Sequence, residues 1–175
     1  MITRKAPDGE DNSVLSFYYE LIDQMRDREY RPSWTKGVYP TLEDIHAAIA
    51  KSELNLAIED GVIAGAFILN HAQGNGYDRV QWTVNAAPDK IGVVHLLAVR
   101  PAIQGRGTGK ALLRKAVELS RRQGDEVLRL DTLTWNLPGR KLYEGFGFRY
   151  CGDYDLTYPT TGTIPFSMFE WKHEH

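Results

Sequence analysis

The stretch from Val93 to Lys110 reads VVHLLAVRPAIQGRGTGK and carries the clearest structural signal in the sequence. An apolar run passes through Arg100 and Pro101 into a glycine-rich turn, and an amphipathic helical pattern follows that turn. Glycines allow successive backbone N–H groups to face an anion at the positive end of a helix. The stretch therefore predicts a strand, a phosphate-binding turn and a helix in succession.

Two common phosphate-binding motifs do not fit this turn. A Walker loop requires Ser or Thr after Gly-Lys, whereas Ala111 follows Lys110, and Gln104 stands where the first glycine of that motif belongs. A dinucleotide-binding Gly-x-Gly-x-x-Gly also fails, because Lys110 stands where the last glycine belongs. The spacing that the turn does show is Gln104-x-x-Gly107-x-Gly109.

The composition is that of an ordinary globular chain. With 175 residues, 42% of them hydrophobic, a single domain over residues 1–175 can bury a real core. The formal net charge of −2 gives no general attraction for nucleic acid or an anionic membrane, so we expect neither as a partner. One cysteine excludes an internal disulfide and a cysteine zinc cluster, the histidines show no ligand spacing, and we expect no metal. The sequence lacks a long apolar segment and a leader signal, which favours a cytoplasmic protein.

The first half of the chain shows alternating helical and strand patterns. Apolar residues recur at helical spacing after Asp11, and Thr41 and Asp44 have the spacing of a capping box. Asp60-Gly61 favours a tight turn. The predicted elements are a strand at Ile2–Ala6, a helix from Asp11 to about Arg26, a helix starting at Thr41, hairpin strands at Leu54–Ile58 and Val62–Leu69, and a strand-like island at Arg79–Val84.

The second half contains the phosphate-binding turn and three further strands. Gly124 is predicted to end the helix that follows the turn, and Pro138 is placed early in a short helix. The predicted elements are a strand at Gly92–Val99, a helix up to Gly124, a strand at Val127–Thr132, a short helix from Asn136 that stops before Gly145, and strands at Phe148–Tyr158 and Ile164–Lys172.

Two motifs resemble those of the GNAT N-acetyltransferase superfamily. Gln104-x-x-Gly107-x-Gly109, after a strand that ends Leu-Ala-Val, resembles its acetyl-CoA motif within residues 93–124. Residues 127–148 resemble its second cofactor motif in order and spacing, through Leu130-Asp131-Thr132, Asn136, Leu142-Tyr143-Glu144 and Gly145-Phe146-Gly147-Phe148. The chain resembles bacterial members of undefined substrate.

The resemblance implies an α/β (α+β) fold with a mixed, mostly antiparallel twisted sheet and about four flanking helices. Its two central parallel strands would splay apart, so that a strand edge can pair with the amides of the pantetheine arm of acetyl-CoA. For Arg106 and Lys110, a solvated position on the first helical turn is an equally good interpretation. The implied cofactor residues are Leu97, Ala98, Val99, Gln104, Gly105, Arg106, Gly107, Thr108, Gly109, Lys110, Asn136 and Tyr143.

The resemblance also implies direct attack of a primary amine on the thioester within a ternary complex. Tyr143 matches the general acid of the family, because a phenol can protonate a departing thiolate of similar basicity. The general base stays open between His95 as the first candidate, Asp131 as the second, and the ordered water that some family members use. His95 lies two positions before Leu97, hence on the same face of a regular strand, and Asp131 would need desolvation to become an effective base.

The acceptor is predicted to be a small-molecule amine that contacts Trp34, Tyr39, Gln81 and Trp82, since aromatic walls suit apolar or cationic groups. The same aromatic side chains are compatible with a core position or with the surface of a homodimer. Two alternatives stay open. One is a peptide N-terminal or lysine acetyltransferase, and the other is a non-catalytic acyl-CoA-binding regulatory module.

Overall fold

The computed structural model describes residues 1–174, so His175, the last residue of the predicted domain, lies outside the described residues. The described chain contains four α-helices, α1 Asp11–Met25, α2 Leu42–Ala50, α3 Thr108–Gln123 and α4 Leu137–Phe146. Its seven strands are β1 Ile2–Lys5, β2 Leu54–Glu59, β3 Val62–Asn70, β4 Ile91–Val99, β5 Val127–Leu133, β6 Arg149–Tyr158 and β7 Gly162–Lys172. Three single-turn 3-10 helices lie at Tyr77–Arg79, Pro88–Lys90 and Pro101–Ile103.

The strands form one mixed sheet in the order β1-β2-β3-β4-β5-β7-β6. The β4–β5 pair is parallel, and the pairs β1–β2, β2–β3, β5–β7 and β6–β7 are antiparallel. This confirms the predicted mixed, mostly antiparallel sheet with its parallel central pair. None of the helices within residues 1–174 is both long and apolar enough to cross a membrane.

The parallel pair is short, as the predicted splaying requires. Its register runs from Ile91↔Val127 to Val94↔Leu130, although β4 continues to Val99 and β5 to Leu133. Within the described residues, the last part of β5 pairs with β7, and the ladder between β4 and β5 ends at Val94. The end of β4 therefore keeps backbone groups that are not used by β5.

Contacts divide the chain into two compact units, and the first joins Met1–Ile68 with Leu96–Lys115. Its core forms where the apolar faces of α1 and α2 pack against β2 and β3, with Val14, Tyr18 and Ile45 completely buried. The capping box predicted at Thr41 is present, because the Thr41 side chain accepts from the Asp44 N–H and Asp44 bonds the Thr41 N–H in return.

The second unit joins Leu69–His95 with residues 116–174. Its core forms around the inner faces of β5, β6 and β7, and the fully buried side chains of Val127, Leu156 and Met168 lie there. Tyr77 and Val80, from the segment between β3 and β4, are also buried in this core. The segment is thus anchored in the core by these two side chains, while its other residues are exposed or partly exposed.

Two predictions about local structure were wrong. Residues 79–84 form no strand. A 3-10 turn at Tyr77–Arg79 leads into an irregular stretch in which the Gln81 and Thr83 N–H groups bond side chains of other strands instead of a ladder partner. Gly145 lies inside α4, and Gly147 ends that helix with φ of 115°. The Gly147 N–H bonds the Tyr143 and Glu144 carbonyls, a left-handed cap that the sequence placed two residues too early.

Candidate active site

The glycine turn of the first unit has the backbone that an anion site requires. Gly105 and Gly107 have φ of +83° and +89°, values that side-chain-bearing residues rarely adopt. A Cβ at either position would meet nothing within 4 Å, so open space lies beside both residues. Gln104 closes the turn, since its Nε2 donates a 3.1 Å bond to the carbonyl oxygen of Val99.

Helix α3 presents its positive end at this turn. The first helical bond runs from the Ala111 N–H to the Gly107 carbonyl at 3.0 Å, so the N–H groups of residues 108–110 have no acceptor within the helix. Thr108 is buried, whereas Arg106 and Lys110 are exposed and carry positive charge. The donor set, the charge and the open space all fit the diphosphate of acetyl-CoA.

Strand β4 leads into the turn with alternating burial. Ala98 is buried, and Leu97 and Val99 are partly exposed. Behind Ala98, a Cβ at Gly65 would lie 2.7 Å from the Ala98 carbonyl oxygen and 2.8 Å from Leu112 Cδ1. Gly65 therefore allows β3 and α3 to approach β4, a role that the sequence did not reveal because nothing around Gly65 marks it.

Leu96 interrupts the regular pleat of β4. Its φ is +50°, and its carbonyl oxygen accepts a 2.7 Å bond from the buried hydroxyl of Tyr18. The prediction that His95 shares a face with Leu97 assumed a regular strand, which the left-handed Leu96 is not, and it stays a prediction. His95 itself is partly buried, with Nε2 3.0 Å from the Asn70 side-chain oxygen.

In the second unit, Tyr143 lies on α4 with its ring packed between Phe148 and Phe169, at centroid distances of 6.2 and 5.4 Å. Only 4% of the residue is exposed. Burial, and to a lesser degree the charge of Asp131, raises the pKa of Tyr143 above its ordinary value. The hydroxyl keeps its proton at neutral pH, as an acid must, and the raised pKa makes it a weaker acid than an ordinary phenol.

Asn136 begins α4 as its N-cap. Its Oδ1 accepts from the Gly139 N–H at 3.2 Å, and its Nδ2 donates to Thr132 Oγ1 at 2.8 Å. A Cβ at Gly139 would lie 2.5 Å from Asn136 Nδ2, so the glycine makes room for this cap. The capping role of Asn136 is therefore clear, and its contact with the cofactor stays a prediction.

Asp131 and Tyr77 form a buried polar contact in the second unit. The Tyr77 hydroxyl donates a 2.7 Å bond to Asp131 Oδ2, and the Tyr77 ring is only 2% exposed. Burial raises the pKa of Asp131 to about 6, and the bond from Tyr77 acts in the opposite direction. Asp131 is therefore desolvated, which is the condition predicted from the sequence for an effective base. Val94 and Leu130 form the last pair of the β4–β5 ladder, and His95 and Asp131 are the residues that directly follow this pair on the two strands.

The predicted acceptor residues have structural contacts in both units. Trp34 packs edge-on against Tyr18 at 5.7 Å, and Tyr39 packs against the same core. Trp34 also lines a surface pocket of about 250 Å³. In the second unit Gln81 is exposed, while Trp82 donates from Nε1 to the Tyr77 carbonyl at 2.8 Å. Contact with an acceptor stays a prediction for all four residues.

Comparison with known sequences identifies the family. A model of the acetyltransferase (GNAT) family matches residues 19–148, and the chain belongs to this family. Members transfer an acyl group from acetyl-CoA, so membership supports both the predicted acyltransferase class and the predicted cofactor.

Curated relatives are similar over part of their length. A mycothiol acetyltransferase of Acidothermus cellulolyticus is 31% identical over 131 residues, which cover 70% of this chain and 39% of the relative. One from Thermomonospora curvata is 33% identical over 119 residues, covering 65% of this chain and 35% of the relative. The chain thus spans less than half the length of these curated relatives.

Solved structures share the fold along nearly the whole chain. A GNAT-family acetyltransferase from Streptococcus agalactiae superposes with a TM-score of 0.79 at 20% identity, covering 99% of this chain and 96% of the other. An acetyltransferase from Salmonella typhimurium, solved with acetyl-CoA, gives 0.73 at 16% identity, covering 100% and 95%. At these identities the likeness establishes the fold, which is the predicted one.

Proposed function

We propose that the protein is an N-acetyltransferase that transfers the acetyl group of acetyl-CoA to the primary amine of a small molecule, by direct attack within a ternary complex. The observation that carries this proposal is the turn at Gly105 and Gly107, with its left-handed backbone, open space and the amide end of α3. When bound, acetyl-CoA supplies the acetyl group as a thioester.

Two segments of the first unit are assigned to cofactor binding. The N–H groups of residues 105–110 bind the diphosphate, with Arg106 and Lys110 adding positive charge. Leu97, Ala98 and Val99 offer backbone groups to the pantetheine amides, since the β5 ladder does not reach them. Gln104 holds the turn against Val99.

Two residues of the second unit are assigned to proton transfer. Asp131 accepts the proton of the acceptor amine, because a carboxyl with a pKa of about 6 is ionised at neutral pH yet more basic than an ordinary aspartate. His95 is the second candidate, supported by its position directly after the last β4–β5 pair. Tyr143 donates its hydroxyl proton to the departing sulfur.

The test is a panel of amines offered to the purified protein together with acetyl-CoA, with released thiol as the readout. The panel contains polyamines, aminoglycosides, peptides with free N-termini and lysine peptides. We expect a small-molecule amine to give the fastest thiol release. A peptide as the best acceptor would favour the peptide or lysine alternative. Binding of acetyl-CoA with no release above the amine-free rate would instead indicate an acyl-CoA-binding module.

A further inference from the structure

The central part of the segment between β3 and β4 is bonded to the strands of the second unit. We call residues 73–84 the strap. Three of its contacts reach β6: Asn75 Nδ2 donates to the Thr157 carbonyl at 3.4 Å, Arg79 Nη2 to the Asp155 carbonyl at 2.8 Å, and the Gln81 N–H to the Tyr154 hydroxyl at 3.1 Å. The strap is thus fixed from one side by an adjacent strand.

A buried charge pair holds the strap from β5 and β7. Arg129 and Glu170 are register partners, 4% and 2% exposed. Arg129 donates to the Gln73 side chain at 3.0 Å and the Val84 carbonyl at 2.8 Å, which lie at the two ends of the strap. Glu170 Oε1 accepts from the Thr83 N–H at 2.8 Å and from its hydroxyl. Burying such charges costs free energy, and here both charged side chains form hydrogen bonds to the strap.

Within the strap, Trp82 fixes the position of Tyr77. The Arg129 guanidinium lies 4.2 Å from the Trp82 ring centroid, and the Trp82 ring is 5.4 Å from that of Tyr77. Trp82 Nε1 donates to the Tyr77 carbonyl. Gly74 lets the strap pack here, since a Cβ there would collide with the Tyr158 hydroxyl and lie 3.1 Å from Tyr77 Cε1. These contacts hold the buried Tyr77 ring so that its hydroxyl donates to Asp131.

We infer that Tyr77 is a positioning residue for the proton acceptor: its hydroxyl holds Asp131 Oδ2, so that Oδ1 is left to take the proton of the acceptor amine. This inference rests on the proposed function, because it assigns Asp131 as the base. It also assigns a role to the strap, which places Tyr77 against Asp131 of β5 although the strap lies outside the two cofactor motifs at residues 93–124 and 127–148. A residue that fixes one carboxylate oxygen restricts the rotamers of Asp131.

The surroundings of Asp131 determine the direction of the expected effect. Tyr77 of the strap bonds Asp131, and Tyr143 of α4 interacts with the charge of Asp131. Tyr158 of β6 and Arg129 of β5 interact with Tyr77. On β4, His95 directly follows Val94, which is the register partner of Leu130. On β7, the register partner of Asp131 is Met168, which carries no charge. The Tyr77 bond is the contact that favours the ionised carboxylate. Removing the hydroxyl should therefore raise the pKa of Asp131.

The experiment compares Tyr77→Phe with Tyr154→Phe, which removes the hydroxyl that contacts Gln81 and leaves Asp131 untouched. Carbon-13 NMR of labelled aspartate carboxyls follows Asp131, whose resonance is identified by its loss in Asp131→Asn. The expected titration midpoint rises by about one pH unit in Tyr77→Phe and stays unchanged in Tyr154→Phe. The acid limb of the kcat/KM pH profile should move by the same amount.

The outcomes separate this inference from the proposed function. An unchanged or lowered Asp131 midpoint in a folded Tyr77→Phe variant overturns the positioning role, whatever the activity. A raised midpoint in a protein that transfers no acetyl group supports the contact and overturns the proposed function. If Tyr77→Phe slows an Asp131→Asn enzyme as strongly as it slows the parent, Tyr77 acts by another route and the inference fails.

Discussion

The buried hydroxyl of Tyr18 on α1 donates a 2.7 Å hydrogen bond to the carbonyl oxygen of Leu96, a β4 residue with φ of +50°. A left-handed backbone costs free energy in a leucine. The bond from Tyr18 gives the buried carbonyl of this residue a hydrogen-bond donor. The contact lies directly before Leu97, where the segment assigned to the pantetheine arm begins. Helix α1 thus helps to shape the end of β4 that we assign to cofactor binding.

Tyr18→Phe should lower the free energy of unfolding by about 1–3 kcal/mol, because the Leu96 carbonyl stays buried without its donor. Urea unfolding followed by fluorescence measures the change. Tyr19→Phe is the matched control, since the Tyr19 hydroxyl accepts an exposed 2.8 Å bond from the Gly37 N–H and should matter less. Equal losses in the two variants would contradict a special role for the Leu96 contact.

Gly107→Ala should weaken acetyl-CoA binding by about tenfold or more, because a methyl group would enter the space beside the α3 amides. It should also destabilise the fold by about 1–2 kcal/mol through left-handed strain. Titration calorimetry measures the affinity.

Gly61→Ala is the control for that strain. Gly61 has φ of +77° with nothing within 4 Å of a Cβ, and it lies in the β2–β3 turn. We expect it to lose stability like Gly107→Ala and to bind acetyl-CoA normally. A parallel loss of affinity in Gly61→Ala would mean that lowered stability, rather than the turn itself, explains the binding defect.

Asp131→Asn should be more stable than the parent protein at neutral pH. Burial raises the pKa of Asp131 from 3.8 to about 6, so the folded state binds this proton more tightly than the unfolded state does. The stability contribution of the carboxyl is therefore present below the unfolded pKa and is lost as pH rises towards the folded pKa. The stability advantage of the variant should grow by about 1–3 kcal/mol between about pH 4 and pH 7.5.

Urea unfolding of both proteins at the two pH values tests this prediction. A pH-independent difference would show that Asp131 has an ordinary pKa. The variant retains an amide oxygen that can accept from Tyr77, so the comparison isolates the charge from the hydrogen bond.

Tyr143→Phe should reduce kcat by about 100-fold or more while acetyl-CoA affinity changes little, because the ring keeps its packing and only the acidic proton is lost. Steady-state kinetics and calorimetry separate the two effects. Tyr150→Phe serves as the control, since the Tyr150 ring also packs on Phe169, at 5.6 Å, but is 41% exposed. If the Tyr143→Phe enzyme keeps the kcat of the parent protein, Tyr143 is not the general acid.

Local chemistry explains which parts of the fold were predictable from the sequence. Three local features depend on residues within a few positions and were predicted correctly: the strand-turn-helix order around Gly105, the Thr41 capping box and the Asp60-Gly61 hairpin. That the turn binds phosphate stays a prediction. The C-cap at Gly147 was missed because Gly145 offered the same signal two residues earlier. Either glycine can end a helix, and packing rather than propensity selects between them.

The site was less predictable, because its key contacts join distant residues. Tyr77 and Asp131 are 54 positions apart, and Tyr18 and Leu96 are 78 apart. The polar alternation at residues 79–84 resembled a strand, yet the Gln81 and Thr83 N–H groups bond side chains of β6 and β7. A sequence pattern shows which groups need partners, whereas only the folded structure shows where they find them.

Binding of acetyl-CoA at the glycine turn is tested most directly by following the backbone amide resonances of the nitrogen-15-labelled protein during titration with acetyl-CoA. The N–H signals of Gly105, Gly107, Gly109 and Lys110 should show the largest shifts, and 3′-phosphoadenosine diphosphate should reproduce them. Saturable binding that leaves these amides unmoved, or no binding at all, would contradict the assignment of this turn to the cofactor.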